Sequence, residues 1–262
     1  MHDLSVTLVQ TSLHWHDAAA NREMLAQKLV GLTEPTDLIV LPEMFTTGFS
    51  MEASLLAEKT DGTTLNWLQE QAAKYNAVIT GSLIIEENGK YFNRLIWMRP
   101  NGSFEHYDKR HLFRMADEHQ VYTAGTSRLL VTLKEWRICP LVCYDLRFPV
   151  WSRNTGPDYD LLLYVANWPA KRNLAWKTLL PARAIENLAY VVGVNRVGED
   201  SKGIIYSGDS AAYGPTGEVI WQQHETEAIQ TIKLSQATLQ AYRQAFPAYL
   251  DADAFSLNNL PD

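Results

Sequence analysis

WRICPLVCYDLRFP, residues 136–149, decides how this chain is read. Apart from Arg137, its first seven residues are apolar and do not alternate with polar ones, so the segment reads as a strand covered on both faces. The run then ends on Cys143 and turns polar at Tyr144, Asp145 and Arg147. A free cysteine passes for a small hydrophobe in such a strand. It is also the side chain best suited to attack a carbonyl. The residues alone leave both readings of Cys143 open.

Working outward, the same kind of run recurs in LSVTLVQ (4–10), DLIVL (37–41), AVITGSLII (77–85), YFNRLIWM (91–98), RLLVTL (128–133), DLLLYVAN (160–167) and AYVVGVN (189–195). Each predicts a short strand, most of them covered on both faces. Helical spacing lies between them. Leu25, Leu29 and Leu32 form one stripe, and Leu65, Leu68, Ala72 and Tyr75 form another behind Asp61 or Thr60 as cap. NLAWKTLLPARAIENLA (173–189) predicts a third helical region, which Pro181 is expected to start, kink or interrupt. Later strands, Ala211–Tyr213 and Glu218–Trp221, flank a turn at Gly214-Pro215-Thr216-Gly217. The class is α/β, with helices layered on sheets. No repeat, linker or low-complexity tract divides the chain, so residues 1–262 read as a single domain.

Composition narrows the partners. Apolar residues make up 46% of the chain and charged ones 20%, which describes a folded body rather than a disordered one. Thirty acidic against twenty-three basic residues leave a formal charge of −7, which repels a phosphate backbone and argues against nucleic acid. No stretch approaches the roughly twenty apolar residues of a membrane span, and the first residues carry no basic leader, so the expected location is the cytoplasm. Cys139 and Cys143 on one strand stand about 13 Å apart, too far for a disulfide. Cys139 reads as core packing.

Several runs end alike: on Pro42-Glu43, on Cys143-Tyr144-Asp145, on Asn167-Trp168 and on Asn195-Arg196. Carboxyl ends of strands are where open α/β sheets hold ligands, although an Asn or Arg after a strand, taken alone, is usually a turn residue. Glu43 is more telling. A carboxylate set between Leu-Pro and Met-Phe needs a cation or a task once buried. Lys109 in YDKRHLF and Glu118 in MADEHQ read by themselves as solvated charges.

LPEMFTTGFS around Glu43, YDKRHLF around Lys109 and CYDLRFP around Cys143 follow in that order, 66 and then 34 residues apart. Together they resemble the Glu-Lys-Cys signature of the nitrilase superfamily of carbon-nitrogen hydrolases. ANWP (166–169), ARAIEN (182–187), GVNRVG (193–198) and YSGDS (206–210) extend the likeness over nearly the whole chain, with Leu188 standing where Gln is expected. Within the superfamily, LPEMFTTGF with NWP and GVNRVG resembles the bacterial omega-amidases, which hydrolyse the distal amide of 2-oxoglutaramate.

The resemblance implies a four-layer αββα sandwich with two mixed β-sheets, and a homodimer to which the aromatic tail (Tyr242, Phe246, Tyr249, Phe255) contributes. It implies Glu43, Lys109 and Cys143 as the catalytic set, with Glu118 positioning the substrate amide or holding Lys109. Tyr144, Asn167, Trp168 and Arg172 are expected around the substrate, a small 2-oxo acid amide. Arg147, Lys171, Arg172 and Arg196 are candidates for its distal carboxylate.

The chemistry asks for these residue types. A thiol with a pKa near 8.5 is only a few per cent thiolate at neutral pH. Glu43 is suited to take its proton, Lys109 and the start of a helix after Cys143 to favour thiolate. Lys109 and the Tyr144 amide are suited to meet the oxyanion. Neither a metal nor an organic cofactor is required. Another amidase, a carbamoylase or a nitrilase would use the same three residues. A papain-type pair has only His224 downstream of Cys143, and His106, His111 and His119 lack zinc-site spacing. A binding module with an idle triad is the remaining rival.

Overall fold

Successive residues of an extended chain point to opposite faces, so a strand apolar throughout must bury both. The computed structural model describes residues 2–257. Its strands are β1 (Leu4–Gln10), β2 (Leu38–Val40), β3 (Val78–Glu87), β4 (Lys90–Met98), β5 (Phe104–Asp108), β6 (Val131–Leu133), β7 (Trp136–Val142), β8 (Leu161–Ala166), β9 (Tyr190–Asn195), β10 (Val197–Glu199), β11 (Ile205–Tyr213), β12 (Val219–His224) and β13 (Ala228–Leu234). The helices are α1 (Ala18–Val30), α2 (Ala53–Leu56), α3 (Thr63–Tyr75), α4 (Glu118–Val121), α5 (Pro149–Ser152), α6 (Asn173–Asn187) and α7 (Gln236–Ala245).

The strands form two mixed sheets, ordered β13-β1-β2-β3-β4-β5 and β10-β11-β9-β8-β7-β6, with β12 on β11. In the first sheet Leu4, Val6, Leu8, Leu38, Val40, Val78, Leu95 and Trp97 face the second sheet and join its core. Their neighbours Val9, Ile39, Ile79, Ile96 and Met98 face the other way, under Leu25 and Leu29 of α1 and Leu65, Leu68 and Ala72 of α3. Helix α6 covers the far side of the second sheet. Gly193 of β9 admits it, since a Cβ there would lie 2.7 Å from Leu180 and 2.8 Å from Trp176. The result is the four-layer αββα arrangement.

Local details depart from the sequence reading. Helix α3 begins after Gly62, and neither Thr60 nor Asp61 caps it. Glu58 does so from outside the helix, accepting a hydrogen bond from the Thr64 amide at 2.8 Å. Helix α6 runs unbroken through Pro181. The carbonyl left without its usual donor belongs to Lys177, on the exposed side, where the lost bond costs little because solvent can reach it. The helix stops at Leu188, held at φ 47°. Strands β5, β10 and β13 escaped the sequence reading. β13 alternates too weakly to announce itself, yet pairs antiparallel with all of β1, from Leu4–Leu234 to Gln10–Ala228. The tail helix α7 lies on the body. Its Arg243 is buried and donates to Asp160 Oδ1 at 2.6 Å, the Tyr159 carbonyl at 2.7 Å and the Leu188 carbonyl at 2.8 Å. No helix among the described residues is long and apolar enough to cross a membrane.

Candidate active site

Four chain segments leave the two sheets side by side and meet at one end of the sandwich. Glu43 follows β2, Lys109 follows β5, Cys143 follows β7, and Asn167 follows β8. Glu118, the first residue of α4, completes the group. Glu43, Lys109 and Glu118 are almost wholly excluded from solvent, and Cys143 retains 8% exposure.

The charges satisfy one another. Lys109 Nζ donates to Glu43 Oε1 at 2.9 Å and to Glu118 at 2.9 and 3.0 Å. The Asn167 amide donates to Glu43 Oε2 at 2.8 Å, and the Asn167 side chain donates to the Glu43 carbonyl. Glu118 Oε2 takes the Phe113 amide at 2.6 Å. Burial alone would lower the Lys109 pKa, but Glu118 and Glu43 outweigh it and hold the ammonium charged well above its ordinary range. Burial and the neighbouring Glu43 push Glu118 upward, against the pull of Lys109.

Cys143 is also pushed well up, first by burial and then by Glu43, with Lys109 opposing. This reverses the expectation that Lys109 would favour a resting thiolate. The thiol form is favoured at rest, so any attack by this sulfur would need a base to take its proton as it begins. The helix expected after Cys143 is short. Residues Cys143–Arg147 form a 3₁₀ segment, with the single turn of α5 beyond.

Cys143 holds a left-handed backbone, φ 43°, at the sharp exit from β7. For a non-glycine residue that conformation is unfavourable and persists only when its surroundings enforce it. Asp145 does the enforcing. Its Oδ2 accepts from the Val142 amide at 3.0 Å and from the Tyr107 hydroxyl at 2.8 Å, while Oδ1 takes the His111 amide at 3.0 Å. The strand exit thus turns the thiol out of the sheet and toward a cavity.

That cavity measures about 300 Å³ and reaches Lys109 and Cys143 at its inner end. Phe49, Phe113, Trp168 and Tyr206 form apolar walls, and Tyr144, Asn167 and Arg172 also line it. Trp168 is held by its amide on Asn195 Oδ1 at 2.7 Å and by its indole on the Arg172 carbonyl at 2.8 Å. The Arg147 guanidinium lies 5.0 Å over its ring. Of the four carboxylate-binding candidates, Arg147, Lys171 and Arg172 line the cavity. Arg196 does not. It is fully buried behind the wall, stacked 4.6 Å from the Tyr206 ring.

Sequence reasoning missed Lys202, which lines the cavity, and Asn93, which donates to Glu43 and Glu118; Asn195 and Asp145, noted only as strand-end residues, hold Trp168 and the turn at Cys143. Asn93 carried a readable signal as the one polar amide inside the apolar run YFNRLIWM. Lys202 carried none. His224 hydrogen-bonds Asp209 at 2.8 Å and is not among the cavity residues, so no Cys-His pair forms.

Comparison with known proteins identifies the family. Over residues 5–244 the chain matches the family described as carbon-nitrogen hydrolase. It is 51% identical to the omega-amidase YafV of Escherichia coli K12, over 98% of this chain and 100% of that one. It is 32% identical to a 2-oxoglutaramate amidase of Bacillus subtilis, over 82% and 84% of the two chains. Among solved structures, a CN-hydrolase superfamily protein from Xanthomonas campestris, crystallised with an arsenic adduct in its active site, superposes with a TM-score of 0.97. It shares 50% identity, over 98% of this chain and 100% of that one. A signature that meets in space, a family match spanning both sheets and full-length relatives at half identity lead to one conclusion: this chain belongs to the carbon-nitrogen hydrolase family.

Proposed function

We propose that this hydrolase is an omega-amidase, a single domain over residues 1–262. It cleaves the distal amide of 2-oxoglutaramate or 2-oxosuccinamate to the 2-oxo dicarboxylate and ammonia. The observation that carries the reading is the buried ion pair of Lys109 and Glu43 beside Cys143, opening into a small cavity whose walls carry cations. The names of the half-identical and of the more distant relative support the substrate class.

In this reading Glu43 takes the Cys143 proton as sulfur attacks the amide carbon. The permanently charged Lys109 and the Tyr144 amide receive the developing oxyanion. Glu43 then gives the proton to nitrogen, ammonia leaves, and a water deprotonated by Glu43 hydrolyses the thioester. Glu118 holds Lys109 in place. Asn167 orients Glu43, and Trp168 with Phe113 packs the carbon chain of the substrate. Arg147, Arg172, Lys171 or Lys202 receives the distal carboxylate.

A pocket shaped for a planar keto acid leaves the ammonium of an amino acid unpaired and desolvated. The test is kcat/KM for 2-oxoglutaramate, 2-oxosuccinamate, glutamine, asparagine and simple nitriles side by side. Preference for the keto acids by 100-fold or more, about 2.7 kcal/mol, is expected. Equal values for 2-oxoglutaramate and glutamine, or faster ammonia release from a nitrile, would refute the substrate. We propose further that the enzyme works in the cytoplasm as a homodimer. Exposed Phe246 and Leu250 on the tail support association, and a monomer by sedimentation at micromolar concentration would count against it.

A further inference from the structure

Asn93 stands in the middle of β4, opposite Ile84 of β3, and is almost fully buried. Its carbonyl accepts the Lys109 amide at 3.0 Å. Its side-chain nitrogen donates to Glu43 Oε1 at 2.8 Å and to Glu118 Oε1 at 3.2 Å. Its own Oδ1 is buried without a partner. Turning the amide over would aim that oxygen at two carboxylates, so the cluster itself dictates which end faces in.

A carboxylate oxygen has two lone-pair positions. Glu43 Oε1 spends both, one on Lys109 at 2.9 Å and one on Asn93. Glu43 Oε2 spends one, on the Asn167 amide at 2.8 Å, and keeps the other. Resting on the amidase reading above, we infer that Asn93 is a positioning residue that closes Oε1 and leaves Oε2 as the atom that accepts the thiol proton. The S–H bond of Cys143 breaks as an O–H bond forms at Oε2, and the freed sulfur pair makes the C–S bond to the amide carbon. The same proton later passes from Oε2 to the leaving nitrogen. The titratable groups around Glu43 are Lys109, Glu118, Cys143, Tyr122 and Tyr206, the last two kept neutral by burial. Asn93 is an uncharged side-chain donor to both carboxylates, and it does not line the cavity.

The test compares Asn93→Leu and Asn93→Ser with the unaltered enzyme on whichever amide of the panel is turned over fastest. Loss of a hydrogen bond to a charged group should lower kcat about 10- to 100-fold, with KM unchanged. The acid limb of kcat/KM against pH should move to higher pH, because a carboxylate stripped of a donor protonates more readily. Alkylation of Cys143 by iodoacetamide should show the same shift. That arm needs no substrate, so a wrong substrate assignment would leave it standing. An unmoved acid limb with reduced kcat, a raised KM with normal kcat, or failure of both variants to fold would each show Asn93 to be structural and overturn the inference.

Discussion

Replacing Lys109 by methionine removes the one cation that two buried carboxylates share, at 2.9 Å from each. Breaking a buried ion pair costs about 3–5 kcal/mol, but here a proton limits the damage. Glu118 already lies above its ordinary range through burial and the nearby Glu43. Without Lys109 it takes up a proton on folding. For a carboxyl with an unfolded value of about 4.3, that uptake costs about 3.7 kcal/mol at pH 7 and only about 1 kcal/mol at pH 5. The folded variant then holds a proton that its unfolded chain lacks. Its stability relative to the unaltered protein falls as pH rises above about 4.3, by about 1.4 kcal/mol per unit, until the raised folded value is passed. Urea denaturation of both proteins at pH 5, 6 and 7 measures the difference, and turnover should be lost at every pH. A stability deficit equal at pH 5 and pH 7, or none at pH 7, would refute the shared-cation account of Lys109.

Because burial holds the Cys143 thiol well above its ordinary range, the resting enzyme at pH 7 should show no thiolate absorbance near 240 nm relative to Cys143→Ala. Measurable thiolate there would restore the preformed-nucleophile reading. Cys143→Ala itself should abolish ammonia release while unfolding at nearly the same temperature, since the void is small and no charge is stranded. Asp145→Asn turns one acceptor into a donor that must face either the Val142 amide and Tyr107 hydroxyl at Oδ2 or the His111 amide at Oδ1. It should lower kcat at least 10-fold and destabilise the fold by about 1–3 kcal/mol, checked by steady-state kinetics and thermal melting. Normal kcat would mean that the left-handed turn at Cys143 holds itself.

How much was legible depends on the range of the interaction. Apolar strands and helical stripes are local, which is why β1 appears at the residues its pattern predicts, Leu4–Gln10. Glu43, Lys109 and Cys143 could be named because three ordered motifs resemble a known signature, not because spacing along the chain implies contact. β13 was missed because its pattern is weak and its partner β1 lies more than two hundred residues away in the chain.

The sequence by itself determined the α/β class and the two-faced burial of most strands, since periodicity is written residue by residue, while the candidate reacting groups came from the resemblance of three motifs. Tertiary structure alone decided the electrostatics. It gave Lys109 two carboxylates rather than one, raised the thiol instead of lowering it, withdrew Arg196 from the cavity and brought in Lys202. The reason is physical: a charge in a low-dielectric interior answers to whatever lies within a few ångströms of it. At this site those neighbours come from β4, from the ends of β2, β5, β7 and β8, and from α4, segments that meet only when the two sheets close on each other.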